Sequence, residues 1–153
     1  MKKIFKRFIL ALPLIVMMTL IFGFSGADGE ASGSLSIKIA KCISEILNQI
    51  GISVSYKTLH IPIRKLAHMT EYGVLFVTAM WAFSWIKDKF RYILSYVFCV
   101  LYAVTDEIHQ LFVPGRCGAY KDVMFDGVGA FCGLLLYIAV SHIFKRHIIN
   151  KES

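Results

Sequence analysis

Residues 92–110 read YILSYVFCVLYAVTDEIHQ, and the fold can be predicted from the change of character within this stretch. Its first part is almost wholly apolar, whereas its last residues include Asp106, Glu107, His109 and Gln110. Ionised side chains are expensive inside a bilayer, and where they occur they face a bundle interior or water. A helix through this stretch is therefore expected to cross lipid and to end among polar partners, before a Pro-Gly turn.

The composition of the whole chain supports a membrane location. Hydrophobic residues make up 57% of the 153 residues and charged residues 18%, whereas an ordinary soluble domain has about half apolar and about a quarter charged residues. A formal net charge of +7 would favour nucleic acid only if the basic residues formed one patch on a folded surface. They flank apolar runs instead, so we expect membrane lipids as partners and no nucleic acid.

Four apolar segments have the length of membrane-spanning helices, which need about 20 residues. They are residues 8–24, 66–86, 92–113 and 123–144. A signal peptide is an alternative for the first segment, but its apolar run exceeds the about 7–15 residues of a signal-peptide core. We therefore expect a retained helix. The sequence predicts an all-α membrane protein, a single domain over residues 1–153 built as a four-transmembrane-helix bundle.

Residues 34–50, SLSIKIAKCISEILNQI, are predicted to form an additional amphipathic, extracytoplasmic helix. Ile39, Ile43, Ile46, Leu47 and Ile50 recur at helical spacing, and the charged residues lie elsewhere around the helix. Such a helix would lie on the outer membrane surface or pack on the other helices, and both interpretations remain open.

The distribution of Lys and Arg predicts the orientation, since short cytoplasmic loops are enriched in these residues. With the N-terminus inside, three dense basic clusters are cytoplasmic: residues 2–7, 87–91 and 145–151. Both termini of this multi-pass protein are then cytoplasmic, in the cell membrane. The same orientation places the polar ends of the second, third and fourth segments together near the outer boundary.

These polar ends are expected to form a pocket at the outer membrane face. Its candidate ligand-binding residues are Arg64, His68, Glu71 and Tyr72 on the second segment, Asp106, Glu107, His109 and Gln110 on the third, Arg116 in the connection, and Asp122 and Asp126 on the fourth. The acidic face of the fourth segment also carries Gly129 and Gly133, whose small size permits close approach of another helix.

Three interpretations of this pocket remain open. The first is a structural ion network that fixes helix register. The second is a binding site for a polar head group of the outer leaflet. In that site Arg64, Lys65, Arg116 and Lys121 would hold phosphate, while carboxylates and Gln110 take hydroxyls or amides. The third interpretation is catalysis.

Catalysis would depend on Glu71, Asp106 and His109 as general acid–base groups or on a bound metal. The metal-ligand candidates are His68, Glu71, Asp106 and His109, because the pairs His68–Glu71 and Asp106–His109 have i, i+3 spacing on helices. The sequence contains no HExxH motif, nucleophile elbow or phosphate loop. The sequence does not indicate a particular cofactor, and it does not decide whether a metal is bound.

Three blocks of the sequence resemble the signature blocks of the VanZ-like family. They are IRKLAHMTEYGVL (63–75), LYAVTDEIHQLFVPGR (101–116) and KDVMFDGVGAFCG (121–133). A fourth stretch, FSGADGEASGSLS (24–36), resembles that family's serine-containing stretch more loosely. The resemblance implies an integral membrane protein of the bacterial cell envelope, and its signature residues are the eleven pocket residues named above. The family's name-giving member is associated with low-level resistance to teicoplanin, a lipid-tailed glycopeptide.

Three functions follow as hypotheses. The first is an envelope protein that binds an outer-leaflet lipid or a lipid-linked cell-wall precursor, and so reduces access of lipoglycopeptide antibiotics. The second is a membrane-embedded, metal-dependent or metal-free enzyme that modifies such a lipid. The third is a structural or assembly partner. The expected partners are membrane lipids, together with a lipid-linked precursor or a lipoglycopeptide.

Overall fold

The computed structural model describes residues 2–26, 29–116 and 118–152. Within these ranges the chain forms five α-helices and no β-strand. They are α1 (Lys2–Gly26), α2 (Gly29–Gln49), α3 (Tyr56–Ala82), α4 (Asp88–Gln110) and α5 (Tyr120–Glu152). The predicted all-α fold is confirmed, and each predicted helix coincides with one of the five. Of the stretch 24–36, residues 27 and 28 lie outside the described ranges.

The helix ends differ from the predicted segments because local backbone chemistry, not apolarity, decides them. α3 begins before the predicted segment, at Tyr56, where the Ser55 hydroxyl accepts a 3.3 Å hydrogen bond from a backbone N–H of the first turn. This side-chain cap satisfies a donor that the helix itself cannot pair. α4 ends earlier than predicted, at Gln110, and the chain then turns through Gly115, whose positive φ of 74° favours glycine.

Two of the described helices are long and apolar enough to cross a membrane by themselves. They are Lys2–Gly26, with a mean hydropathy of 2.4, and Tyr120–His147, with 2.0. Only 17% and 28% of their most apolar windows are buried inside the protein, so most of this apolar surface is exposed. α3 and α4 do not pass the same test, because charged and polar residues occupy one end of each helix. Of the four predicted spans, two are therefore supported by hydropathy.

α3 is the central helix of the bundle. It packs against α1, α2, α4 and α5, and it contributes the largest buried side chains, including Tyr72, Leu75 and Phe76. The core also contains Ile21 of α1 and Cys99 of α4. The interior between these helices is therefore apolar in its middle, and the polar residues lie toward one end.

The predicted close-packing role of Gly129 and Gly133 is confirmed, and its partner is Gly73 of α3. A Cβ atom added at Gly133 would lie 2.5 Å from the carbonyl oxygen of Gly73, and one added at Gly129 would overlap the backbone of Met69. α3 and α5 thus touch backbone to backbone. This contact places the polar start of α3 beside the acidic start of α5.

α2 packs along α3, but not through its predicted apolar stripe. Among the residues of α2 whose burial is described, Ser36, Ala40 and Ser44 are buried, and they are spaced one helical turn apart. Ile39 and Ile43 are 43% and 37% exposed. The interpretation in which this helix packs on the other helices is therefore confirmed, although most of the apolar stripe is exposed and only Leu47 of it is half-buried.

Candidate functional site

Polar side chains gather where α1 and α4 end and where α3 and α5 begin. The most deeply buried are Asp106, Glu107, Gln110, Arg116 and Asp126, which are between 1% and 8% exposed. The sequence predicted this meeting of helix ends, and all five residues belong to the predicted pocket. Their contacts, however, divide the predicted pocket into two parts with different chemistry.

The first part is a buried network centred on Gln110. The Gln110 side-chain amide donates hydrogen bonds to Oδ2 of Asp106 and to Oε1 of Glu107, both at 3.2 Å. Arg116 Nη1 donates to Oε1 of Gln110 at 3.4 Å. These three residues of α4 share one helix face because they are spaced by three and four positions. Asp106, Glu107, Gln110 and Arg116 are called the acidic network below.

Arg116 joins this network to α1. Its Nη2 donates a 2.8 Å hydrogen bond to the carbonyl oxygen of Phe24, in the last turn of α1, where carbonyl groups have no partner within the helix. Burial and the nearby positive charge of Arg64 lower the pKa of Arg116, and the neighbouring carboxylates of Asp106 and Glu107 oppose this. Arginine remains charged in proteins, so Arg116 places a fixed positive charge beside the carboxylates.

Glu107 holds the connection between α4 and α5 in place. Its Oε2 accepts a 2.8 Å hydrogen bond from the backbone N–H of Ala119, immediately before α5 begins. A Cβ atom added at Gly118 would lie 2.5 Å from the carbonyl oxygen of Glu107, so only glycine fits this close approach. The connection that carries Arg116 is therefore packed directly on the end of α4.

α1 contributes contacts that the sequence analysis missed. The Phe22 ring stacks on the His109 imidazole with a centroid distance of 3.9 Å. The Tyr102 hydroxyl donates a 2.6 Å hydrogen bond to the carbonyl oxygen of Met18, and Ser25 is buried beside Asp106. The serine-containing stretch 24–36 is a sequence signal for Ser25 only; Met18 and Phe22 lie in the apolar run, where nothing in the sequence distinguishes them.

The two predicted i, i+3 pairs behave differently. His68 and Glu71 approach to 3.6 Å, and each side chain is 23% exposed. Asp106 and His109 make no hydrogen bond to each other; Oδ1 of Asp106 and Nδ1 of His109 have no hydrogen-bond partner among the described residues. Glu71 thus lies with His68, whereas His109 stacks on Phe22 of α1. The catalytic role of Glu71, Asp106 and His109 stays a prediction.

No metal-binding group is assembled in residues 2–26, 29–116 and 118–152. No three His, Cys, Asp or Glu side chains in these ranges lie close enough together to hold a metal ion. The predicted candidates His68, Glu71, Asp106 and His109 therefore do not form one ligand set in this arrangement.

Tyr72 and Asp126 are buried without a hydrogen bond. The Tyr72 hydroxyl and both carboxylate oxygens of Asp126 have no partner among the described residues, although Asp126 is only 1% exposed. The charged neighbours of Asp126 are all carboxylates, those of Glu107, Asp106, Asp122 and Glu71. Burial of such a group without a partner is costly, so Asp126 does not contribute to stability through an ion pair.

The second part of the predicted pocket is an open cavity of about 330 Å³. Its lining residues are His60, Ile61, Arg64, Lys65, His68, Gly115, Arg116 and Asp122, and it is called the basic pocket below. Arg64 makes no hydrogen bond or ion pair to any described residue. Lys65 Nζ lies 3.9 Å from the centroid of the Phe125 ring, and Lys121, predicted to hold phosphate, does not line the cavity.

The structure therefore divides residues of the single predicted pocket between the basic pocket and the acidic network. Arg64, His68 and Asp122 line the basic pocket, whereas Asp106, Glu107 and Gln110 lie in the acidic network. Arg116 belongs to both, because it lines the cavity and donates into the network.

Two largely exposed apolar helices, in a helical bundle formed by the described residues with a polar site at one end, are typical of membrane proteins. A family model described as VanZ/LLP1 matches residues 9–144, so the chain belongs to the VanZ/LLP1 family and is a VanZ-like envelope protein. The resemblance seen in the sequence blocks is thereby confirmed. Neither the curated proteins nor the solved structures gave a match to this chain.

Proposed function

We propose that this protein binds, through its basic pocket, the polar head of an outer-leaflet lipid or of a lipid-linked cell-wall precursor. The observation that carries the proposal is the convergence of Arg64 and Arg116 on one open cavity of about 330 Å³. Arginine is the side chain that proteins use most often for planar, bidentate recognition of phosphate and carboxylate groups. An open pocket at a helix-bundle end can receive such a group from the membrane interface.

The proposed topology has four spans, α1, α3, α4 and α5, with both termini in the cytoplasm. At the end of the bundle opposite the polar site, the Arg7 guanidinium lies 5.0 Å from the centroid of the Trp85 ring. The basic N-terminus and the connection between α3 and α4 therefore lie together. Enrichment of Lys and Arg at this end supports a cytoplasmic location, which would put the basic pocket at the outer face.

The acidic network supports spanning by α4 despite its polar end. Charged residues within membrane helices are tolerated when they face the bundle interior and pair there. Gln110 pairs with Asp106 and Glu107, and Arg116 supplies the compensating charge. The network then serves as a scaffold that positions Arg116 at the pocket, and the ligand is bound by the basic residues.

In the cell, a lipid or precursor that is bound by this protein would be less accessible to lipid-tailed glycopeptides. A host that produces the wild-type chain is therefore expected to tolerate more teicoplanin than a host without it. Membership of the VanZ/LLP1 family supports this expectation. No contact among the described residues favours the enzymatic alternative.

The test compares the wild type, Arg64→Ala and Lys121→Ala in a susceptible Gram-positive host at matched membrane abundance. Lys121 is the matched control, because it is a nearby basic residue that is exposed and does not line the pocket. The inhibitory concentration of teicoplanin should rise with the wild type and Lys121→Ala but not with Arg64→Ala. Equal protection by all three chains, or by none, would contradict the proposal.

A further inference from the structure

The charges that face the basic pocket are unbalanced. Arg64, Lys65 and Arg116 line it, and Asp122 is the only carboxylate among the described residues of the lining. Arg64 and Arg116 are close enough to repel each other, and both act on His68, which Asp122 partly offsets. Like charges around one cavity are destabilising unless an anion lies among them. Around Arg116 the carboxylates of Asp106, Glu107 and Glu71 oppose this repulsion. The positive charge that remains for a bound anion is therefore chiefly that of Arg64 and Lys65, which have no ion pair among the described residues.

The pocket is preorganised on one side. Arg116 is 8% exposed and is held by hydrogen bonds to Oε1 of Gln110 and to the carbonyl oxygen of Phe24. A guanidinium that is already fixed loses little conformational freedom when a ligand arrives. Arg64 has no such contacts among the described residues, so it can move to meet the second face of a ligand.

The size of the cavity limits what can enter it. A volume of about 330 Å³ lies at the lower end of the roughly 300–1,000 Å³ that is usual for small-molecule pockets. It can hold a phosphate group with a few attached atoms, but not a saccharide carrying a peptide. Any larger part of a ligand must remain in the membrane or in water.

Asp122 adds a second requirement for the ligand, besides its size. A carboxylate at the wall of a basic pocket accepts hydrogen bonds from a hydroxyl or amino group, and it repels a second anionic group on the ligand. The favoured ligand therefore carries a hydrogen-bond donor next to its anion.

We infer that the basic pocket is a phosphate site, in which Arg64 and Arg116 hold a lipid-borne phosphate while Asp122 accepts a hydrogen bond from a neighbouring hydroxyl or amino group. This inference rests on the proposed function and specifies the chemical class of its ligand. The acyl or isoprenoid chain of the ligand stays in the membrane, and only the phosphate and its nearest substituents enter the cavity.

The test measures binding of short-chain probes to the detergent-purified full chain. The probes are dioctanoyl phosphatidylglycerol, dioctanoyl phosphatidylmethanol, uncharged dioctanoylglycerol and inorganic phosphate. Both charged lipids should bind and dioctanoylglycerol should not. Arg64→Ala should weaken the binding of phosphatidylglycerol about tenfold or more, as expected for a hydrogen bond to a charged group, whereas Lys121→Ala should change it less than about twofold.

Phosphatidylglycerol and phosphatidylmethanol have the same charge but differ in head-group hydroxyls. The wild type should bind phosphatidylglycerol more tightly, and Asp122→Asn should reduce this difference. Equal binding of both lipids by the wild type would overturn the role of Asp122. The helical circular-dichroism signal and the melting temperature of each variant show whether a loss of binding is due to unfolding. If Arg64→Ala is unfolded, Arg64→Lys, which keeps the charge, replaces it and should still weaken binding.

The remaining outcomes separate this inference from the proposed function. If dioctanoylglycerol binds as tightly as the charged lipids and Arg64→Ala weakens its binding too, the phosphate site is wrong but head-group binding at the basic pocket stands. If Arg64→Ala changes the binding of no lipid, both are wrong. If inorganic phosphate binds in an Arg64-dependent way and no lipid does, the phosphate chemistry stands but its lipid source is wrong. Absence of binding by every probe would overturn both.

Discussion

The Arg116 guanidinium donates a 2.8 Å hydrogen bond to the carbonyl oxygen of Phe24, and this bond joins the connection between α4 and α5 to the end of α1. Helices distant in sequence are thus joined at the end of the bundle that carries the polar site. The bond also fixes one wall of the basic pocket. The contact is therefore expected to affect both stability and binding.

Replacement of Arg116 by lysine should separate charge from geometry. Lysine keeps the positive charge but has a single ammonium group, so it cannot reach Gln110 and Phe24 with two parallel donors. We expect a loss of about 1.5–3 kcal/mol in the free energy of unfolding, the range for one hydrogen bond to a charged group. Thermal unfolding in detergent measures this, with exposed Arg146→Lys as the control. Equal melting temperatures would show that the bond to Phe24 is not stabilising.

The glycine contact between α3 and α5 gives a second prediction. Gly133→Ala would place a Cβ atom 2.5 Å from the carbonyl oxygen of Gly73, so the helices must separate. Overpacking of this kind costs about 1–3 kcal/mol. Gly127→Ala on the same helix is the matched control, because its Cβ atom would meet its nearest neighbour, the Tyr96 hydroxyl, only at 3.8 Å.

Gly127→Ala should be neutral or stabilising by up to about 1 kcal/mol, since alanine favours helix more than glycine does. Melting temperatures of the two variants in the same detergent decide the question. A lower melting temperature for Gly127→Ala than for Gly133→Ala would contradict the close approach of α3 and α5.

Neutralisation of the buried carboxylates Asp106 and Asp126 should change the stability of the protein in different ways. Asp106 accepts a hydrogen bond from Gln110, so Asp106→Asn should destabilise the protein by about 1–3 kcal/mol. Asp126 has no partner among the described residues and only carboxylates as charged neighbours. Asp126→Asn should therefore be neutral or stabilising. Chemical unfolding of both variants measures this, and stronger destabilisation by Asp126→Asn would indicate a partner that the described contacts do not include.

The sequence predicted the helices and the meeting of their polar ends, but not the division of the site. Apolar periodicity and the turn at Pro114 indicate where helices lie, and a helix face can be read from residue spacing. Spacing alone does not tell which side of Arg116 faces the carboxylates and which faces a cavity. That depends on the contact of Gly73 with Gly133 and on the bond to Phe24, which join distant segments. For the same reason α1 was assigned only a spanning role.

The topology can be tested with single cysteines and a maleimide that does not cross membranes. Cys42 is exposed on α2, which the proposed orientation puts outside. Lys89 lies in the first turn of α4 and Lys145 near the end of α5, and the same orientation puts both in the cytoplasm. In chains with the other cysteines replaced by serine, Cys42 should be labelled in intact cells. Lys89→Cys and Lys145→Cys, each in a chain that also lacks Cys42, should be labelled only after the membrane is opened.

This pattern is expected because positively charged loops remain on the cytoplasmic side, and because an even number of spans returns the chain to the side on which it began. Labelling of Lys89→Cys but not of Lys145→Cys in intact cells would mean that the protein has fewer spans than proposed. Labelling of both lysine variants without Cys42 would invert the orientation. In that case the basic pocket would face the cytoplasm, and its lipid ligand would have to come from the inner leaflet.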